Sequence, residues 1–208
     1  MKRLWLIRHG QTDYNADNKI QGSGIDASLN ALGQAQAKLL ASAIEEKLYG
    51  KKPELFASTL TRAKQTATAI SEKMGVPLLF AKEVEELNFG IFEGIAISQI
   101  SAELDKLHEL WEGGQTSASA EEGESPDAAF SRASSYIKNA VAQAKSPDVI
   151  FVIHGRLLRI LLAGWLDHDL SKMSKYHHHN ANINLLEYEK DIFKAVILNE
   201  TQHLASLG

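Results

Sequence analysis

Apolar positions along the chain follow two alternating rhythms. Short uninterrupted runs at Leu4 to Ile7, within 53–58, and at Val149 to Ile153 have the length and bulk of strands buried on both faces. Between them, Leu29, Leu32, Leu39, Leu40, Ala43 and Ile44 recur at helical spacing and predict a helix over about 30–48, with Asn30 at its start. A second helix is expected over 60–74, capped by Ser58 or Thr59 and ended by Gly75 and Pro77. Segment 78–95 predicts a short strand and a connecting loop, and 97–112 a helix of mixed polarity. The small polar stretch 113–125 follows, so 95–125 is expected to be a surface insertion or lid. Ser125-Pro126 marks a helix start, with Ser as cap and Pro in the first turn, and that helix should reach about 145. A further helix is expected from Arg156 to about Leu166, and a hairpin over 183–188 and 192–198 turns at Lys190-Asp191. The alternation of strand and helix is that of an α/β sheet.

Composition narrows the classes. With 208 residues, 44% of them hydrophobic, the chain is long enough for its own core without metal or disulfide staples. Zero cysteines exclude a thiolate nucleophile, cysteine-ligated zinc and disulfides, and make the cytoplasm the expected compartment. The apolar run after Lys2-Arg3 is too short for a signal-peptide core, and no run approaches the roughly 20 residues of a membrane span. A formal charge of −4 argues against non-specific nucleic-acid binding. Of the six arginines, Arg8, Arg62, Arg156 and Arg159 lie within five residues of the motifs that follow.

With 8 His and 14 Gly in 208 residues, chance gives about half of one His-Gly pair; two occur. His9-Gly10 and His154-Gly155 each stand at the C-terminal end of a predicted buried strand, the edge of an α/β sheet where ligands bind. Glycine after each histidine permits a sharp turn and close approach of a ligand, and a helix starting after His154 would aim free N–H groups at an anion. Arg8 adjoins the first histidine, and Arg62 falls in the first turn of the second helix. Planar guanidinium groups bind two phosphate oxygens at once, so two Arg and two His at one sheet edge describe a metal-free phosphate clamp.

The segment Leu6-Ile7-Arg8-His9-Gly10-Gln11-Thr12-Asp13-Tyr14-Asn15 closely resembles the signature of the histidine phosphatase superfamily, the phosphoglycerate mutase-like proteins. The resemblance continues through Ile20-Gln21-Gly22, Asp26, Ser58 to Ala67, Glu86 to Gly94, Gly123-Glu124-Ser125 and Val152 to Gly155, and so covers nearly the whole chain. Lys19 departs from it by standing where arginine is frequent, with the charge kept. The resemblance implies one domain over 1–208: a three-layer α/β/α sandwich with a mostly parallel central sheet and a helical and loop insertion, 95–125, over the active site. It also implies that His9 takes the phosphoryl group as phosphohistidine, while Arg8, Arg62 and His154 hold its oxygens. Asn15, Gln21, Gly22 and Gly155 would complete the phosphate site, with no metal and no cofactor. Phosphoryl transfer needs an in-line nucleophile and preorganised positive charge, which this set supplies if His9 is unprotonated. Activity should then fall as His9 titrates at low pH, and His154 should serve best as a cation.

A leaving alkoxide needs a proton, and Glu86 falls at the family's acid position, with Glu85 the competing assignment. Spacing by itself does not choose between them. The acid is followed by Leu87-Asn88-Phe89 instead of the arginine usual in the mutases, and Lys106 is the single basic residue of 95–125 against seven carboxylates. A second phosphate would meet a mainly negative lid, so the expected activity is a phosphomonoesterase acting on a small phosphorylated metabolite. The alternatives are a cofactor-dependent phosphoglycerate mutase-type transferase and a non-catalytic phospholigand-binding module. Asn88 stands where phosphoserine phosphatases of this group tend to place histidine, which counts against that substrate. Trp111 and His108 in the insertion are candidate substrate contacts, though helix packing is the simpler reading. His177-His178-His179 alternate faces on an extended segment and so cannot all reach one metal ion. A homodimer is compatible with the family, and no apolar surface stripe in the sequence demonstrates one.

Overall fold

The computed structural model describes residues 1–207. Six strands form one sheet: β1 (Lys2–Arg8), β2 (Glu54–Ser58), β3 (Leu78–Ala81), β4 (Asp148–Ile153), β5 (Ile183–Glu189) and β6 (Ile192–Glu200). Their spatial order is β3-β2-β4-β1-β5-β6. The first four are mutually parallel, and β5 and β6 extend the sheet antiparallel. The helices are α1 (Asp13–Ala16), α2 (Ala31–Lys47), α3 (Thr61–Met74), α4 (Ser101–Glu112), α5 (Pro126–Gln143) and α6 (Gly155–Leu162).

Two-sided burial explains the uninterrupted apolar runs. Leu4, Leu6, Phe151 and Ile153 face a core under α5 and α6, while Trp5, Ile7, Ile150 and Val152 face a second core under α2 and α3. Alternate side chains point to opposite faces of a strand, so a strand covered by helices on both sides must be apolar throughout. The result is the α/β/α sandwich. Among the described residues no helix is long and apolar enough to cross a membrane.

Connectivity then creates a crevice. β1 and β4 are neighbours, but β1 hands the chain through α2 toward β2, whereas β4 hands it through α6 toward β5 on the opposite face. The loops leaving their C-terminal ends part, and the gap between them receives ligands in folds of this kind. His9 and His154 are the first residues after these two strands.

Several local expectations are corrected. The start of α3 is not capped by Ser58 or Thr59: Leu60 is the cap residue, and Asp26 reaches in from a separate loop to accept the Thr61 N–H at 2.6 Å. Thr59 instead bonds Glu85. The helix expected over 97–112 begins at Ser101, after one 3₁₀ turn over Ile97–Gln99. The one expected to reach Leu166 ends at Leu162 and relaxes into a π turn over Ala163–Asp167. At the hairpin, Lys190 and Asp191 both take left-handed backbone (φ 50° and 65°), the paired positive φ that lets a two-residue turn follow the strand twist.

Candidate active site

His9 and His154 lie side by side at the parted strand ends, their ring centroids 5.2 Å apart. His9 Nδ1 is 2.7 Å from the Gly10 carbonyl oxygen. A carbonyl only accepts, so Nδ1 carries the proton and Nε2 is left with its lone pair. Burial and the guanidinium groups of Arg62 and Arg8 hold the His9 pKa well below 6.5. The ring is therefore neutral at physiological pH, as a nucleophile requires.

His154 is fully buried, and neither of its ring nitrogens has a hydrogen-bond partner. Its pKa too lies well below 6.5, through burial and then Arg62. His154 is thus neutral where only the arginines and His9 act on it. An imidazolium beside buried arginines costs more than the sequence position suggests.

The two clamp arginines are held by backbone oxygens. Arg62 donates from Nη1 to Ile25 O and from Nη2 to Gly22 O, both at 2.7 Å, and its buried Nε has no partner. Arg8 donates from Nη1 to His178 O at 2.8 Å and likewise keeps a free, buried Nε. Among the described residues neither forms an ion pair, and burial pulls the Arg8 pKa to about 10. Two anchored cations, with carboxylates nearby but none in direct contact, stand beside two neutral imidazoles and form a preorganised seat for an anion.

The glycines act differently from the sequence reading. A Cβ on Gly155 would stand 3.0 Å from Arg8 Nε, so this glycine makes room for the arginine. Gly22 sits at φ +61° with Glu93 packed where a Cβ would be, and its carbonyl holds Arg62. Glu86 occupies the second and third N–H groups of α6. Arg156 N donates to Glu86 Oε2 at 3.0 Å, and Leu157 N to Glu86 Oε1 at 2.8 Å.

That contact places Glu86. Buried Glu86 lines the cleft that contains His9, Arg8, Arg62 and Gly155, whereas Glu85 bonds Thr59 and lines only the neighbouring recess, which Glu86 also borders. Arg132 of α5 fixes the loop that carries both. It donates to the carbonyls of Glu83, Glu85 and Glu86 and pairs through Nε and Nη2 with both oxygens of Glu124. Arg132 has no signal in the sequence, because a helix-borne arginine announces no contact with a loop 46 residues away.

Asn15 and Gln21 also line the cleft. Asn15 Oδ1 accepts from Thr12 N and from Asn180 Nδ2, which leaves its own Nδ2 as a free donor. Gln21 donates to Thr12 Oγ1 at 2.8 Å and leaves Oε1 unpartnered. Rotated about its terminal bond, the same amide would accept from the Thr12 hydroxyl and present N–H to a phosphate.

The lid residues divide. Trp111 is buried, and its indole donates to Ala118 O at 2.9 Å, so it is packing. His108 faces the cleft and contacts Arg156 Nη2 at 2.9 Å. Of the seven carboxylates in 95–125 only Asp105 lines the cleft, and the cleft wall also carries Arg156, Arg159 and His178. The histidine run separates as expected: His178 lines the cleft, and His179 bonds Asn199.

Similarity agrees with the geometry. Residues 4–201 match the family model of the histidine phosphatase superfamily (branch 1), and the chain belongs to that superfamily. It is 30% identical over 208 residues, the full length of both chains, to a protein of Hydrogenobacter thermophilus provisionally named phosphoserine phosphatase 2. It is 28% identical to a broad-specificity phosphatase of Saccharomyces cerevisiae, over 97% of this chain and 87% of the relative. A mycobacterial glucosyl-3-phosphoglycerate phosphatase structure superposes with TM-score 0.87 at 25% identity, covering 97% of this chain and 100% of the other.

Proposed function

We propose that this chain is a metal-independent phosphomonoesterase that hydrolyses a small phosphorylated metabolite through phosphohistidine on His9. The observation that carries the reading is the tautomer of His9. With Nδ1–H on Gly10 O, Nε2 keeps its lone pair, on a ring that lines the cleft with Arg8 and Arg62 and lies 5.2 Å from that of His154. In the first step Nε2 attacks phosphorus, the P–O ester bond breaks, and Glu86 gives its carboxyl proton to the departing alkoxide. The phosphorylated ring keeps its proton on Nδ1, and that positive charge makes Nε2 a good leaving group. In the second step Glu86 takes a proton from water, the water oxygen attacks phosphorus and the P–N bond breaks, releasing inorganic phosphate. The two free Nε–H groups of Arg8 and Arg62 meet the equatorial oxygens, where charge is spread in the transition state. A bound dianion also supplies the opposite charge that brings a proton onto His154.

The test is hydrolysis of p-nitrophenyl phosphate in excess EDTA by wild type and His9→Ala. Turnover that EDTA leaves intact and the substitution abolishes is expected. Activity lost to EDTA, or retained by His9→Ala, contradicts the mechanism.

A further inference from the structure

The tautomer of His9 rests on one acceptor, the Gly10 carbonyl, and that carbonyl belongs to the residue type whose backbone turns most freely. The surroundings must therefore hold it. Gly10 O and Gln11 N belong to one peptide group, and the Gln11 N–H donates to Gln36 Oε1 of α2 at 2.8 Å. A peptide group is planar, so an acceptor on its N–H also fixes the direction of its C=O. In the preceding peptide, Gly10 N donates to Thr66 Oγ1 of α3 at 3.0 Å. The Thr66 hydroxyl proton is given to Arg62 O at 2.8 Å, which leaves the lone pairs of Oγ1 to accept from Gly10.

Packing removes the remaining freedom. A Cβ on Gly33, in the first turn of α2, would overlap Gln11 O, and one on Gly10 would overlap Gly33 O, so the two backbones meet directly. His9 O, at the other end of the His9–Gly10 peptide, accepts from Asn180 Nδ2 and Ala181 N, each at 3.1 Å. Thr66 is fully buried inside α3, where a hydroxyl bonded back to the residue four before it slightly destabilises a helix. Its use lies outside the helix, as the acceptor for a buried N–H.

We propose that Thr66 and Gln36 are positioning residues for the nucleophile. Neither lines the cleft. They fix the two peptide groups that follow His9, so that Gly10 O takes the Nδ1 proton and Nε2 keeps the lone pair that attacks phosphorus. Without either acceptor its peptide turns, the Nδ1–H bond is lost, and the proton is free to move to Nε2, where it blocks attack. The kinetic consequence rests on the hydrolase reading above, whereas the tautomer is read without it.

The test combines spectroscopy with kinetics. Long-range proton–nitrogen correlation spectra of protein labelled with nitrogen-15 histidine distinguish the two tautomers near neutral pH, and the spectrum of His9→Ala assigns the His9 ring. Wild type should show Nδ1–H. Thr66→Val and Gln36→Met should each show loss of the pure Nδ1–H form, with kcat/KM for p-nitrophenyl phosphate lowered by about 10- to 100-fold. The inhibition constant of inorganic phosphate should stay within about threefold of wild type in both, because the clamp itself is untouched. Thr66→Ser keeps the hydroxyl and should keep the wild-type spectrum and rate.

A wild-type spectrum and rate in either Thr66→Val or Gln36→Met overturns the proposal. So does a loss of rate with Nδ1–H unchanged, or one that Thr66→Ser shares. A tautomer that shifts in the variants of a protein without turnover keeps the proposal and overturns the hydrolase reading, and a wild-type ring protonated on Nε2 overturns both. Should Thr66→Val fail to fold, Gln36→Met decides alone, since Gln36 is only half-buried.

Discussion

At the scale of single residues the site is built from groups denied their usual partners. Among the described residues Arg8 and Arg62 each keep a bare Nε and His178 a bare Nε2 at the cleft, and His154, buried behind its wall against His9, has two unpartnered ring nitrogens. Such groups are expensive unless a ligand satisfies them, so on the proposed reading phosphate binding would relieve that cost. Gly155 shows how tight the arrangement is. Gly155→Ala introduces a methyl group 3.0 Å from Arg8 Nε, and the guanidinium must shift. We expect kcat/KM to fall by about 10- to 100-fold with p-nitrophenyl phosphate, because small misplacements of a positioning group carry that penalty. A thermal melt within a few degrees of wild type should accompany it; unchanged kinetics would show that Arg8 does not set the geometry.

At the scale of elements, α4 and α6 meet at Arg156. Its N–H holds Glu86, while its guanidinium lies against Trp111 and His108 of α4. Trp111→Ala empties a nearly fully buried volume and removes the bond to Ala118, which should cost about 3–5 kcal/mol in urea unfolding. Trp111→Phe should cost clearly less. A wild-type urea midpoint for Trp111→Ala would mean that α4 is not packed on the body of the protein as described.

The elements were largely legible in the sequence because two-sided burial writes apolar runs, and Ser125-Pro126, Asn30 and Lys190-Asp191 write their own boundaries. What spacing could not show was reciprocal contact. Asp26 capping α3 from a distant loop, Arg132 gripping the Glu86 loop, and Glu86 closing the start of α6 each join residues far apart in the chain. The same limit hid the cationic side of the cleft. Arg156 and Arg159 stand out as rare arginines near a motif, but only the path of α6 across from the lid turns their side chains toward the cleft.

At the scale of the whole molecule, buried histidines tie stability to pH. His9, His154, His178, His108 and His203 all have folded pKa values below 6.5, in each case chiefly through burial, with His108 near 4 and His178 near 3. Below 6.5 the unfolded chain binds protons that the folded chain refuses, so stability is full above that pH and is lost as pH falls toward the folded values. The melting temperature should therefore be level from about pH 8 to 7 and drop progressively toward about pH 5, with a shallower drop in His178→Asn. A melting temperature that rises on acidification would contradict the neutral, buried state assigned to these rings. Their depressed values also move the expected acid loss of His9 nucleophilicity well below the pH at which a free histidine titrates.

All three scales converge on Nε2 of His9. The most direct test is acid-free rapid quenching of Glu86→Gln during turnover of p-nitrophenyl phosphate, followed by intact mass and peptide mapping. This ester needs no proton donor to leave, but the water that should clear the enzyme has lost its base. The account predicts accumulation of one phosphoryl group, acid-labile and base-stable, on the peptide containing His9, and none in His9→Ala. An unmodified protein during steady turnover, or a phosphoryl group located on another residue, would contradict it.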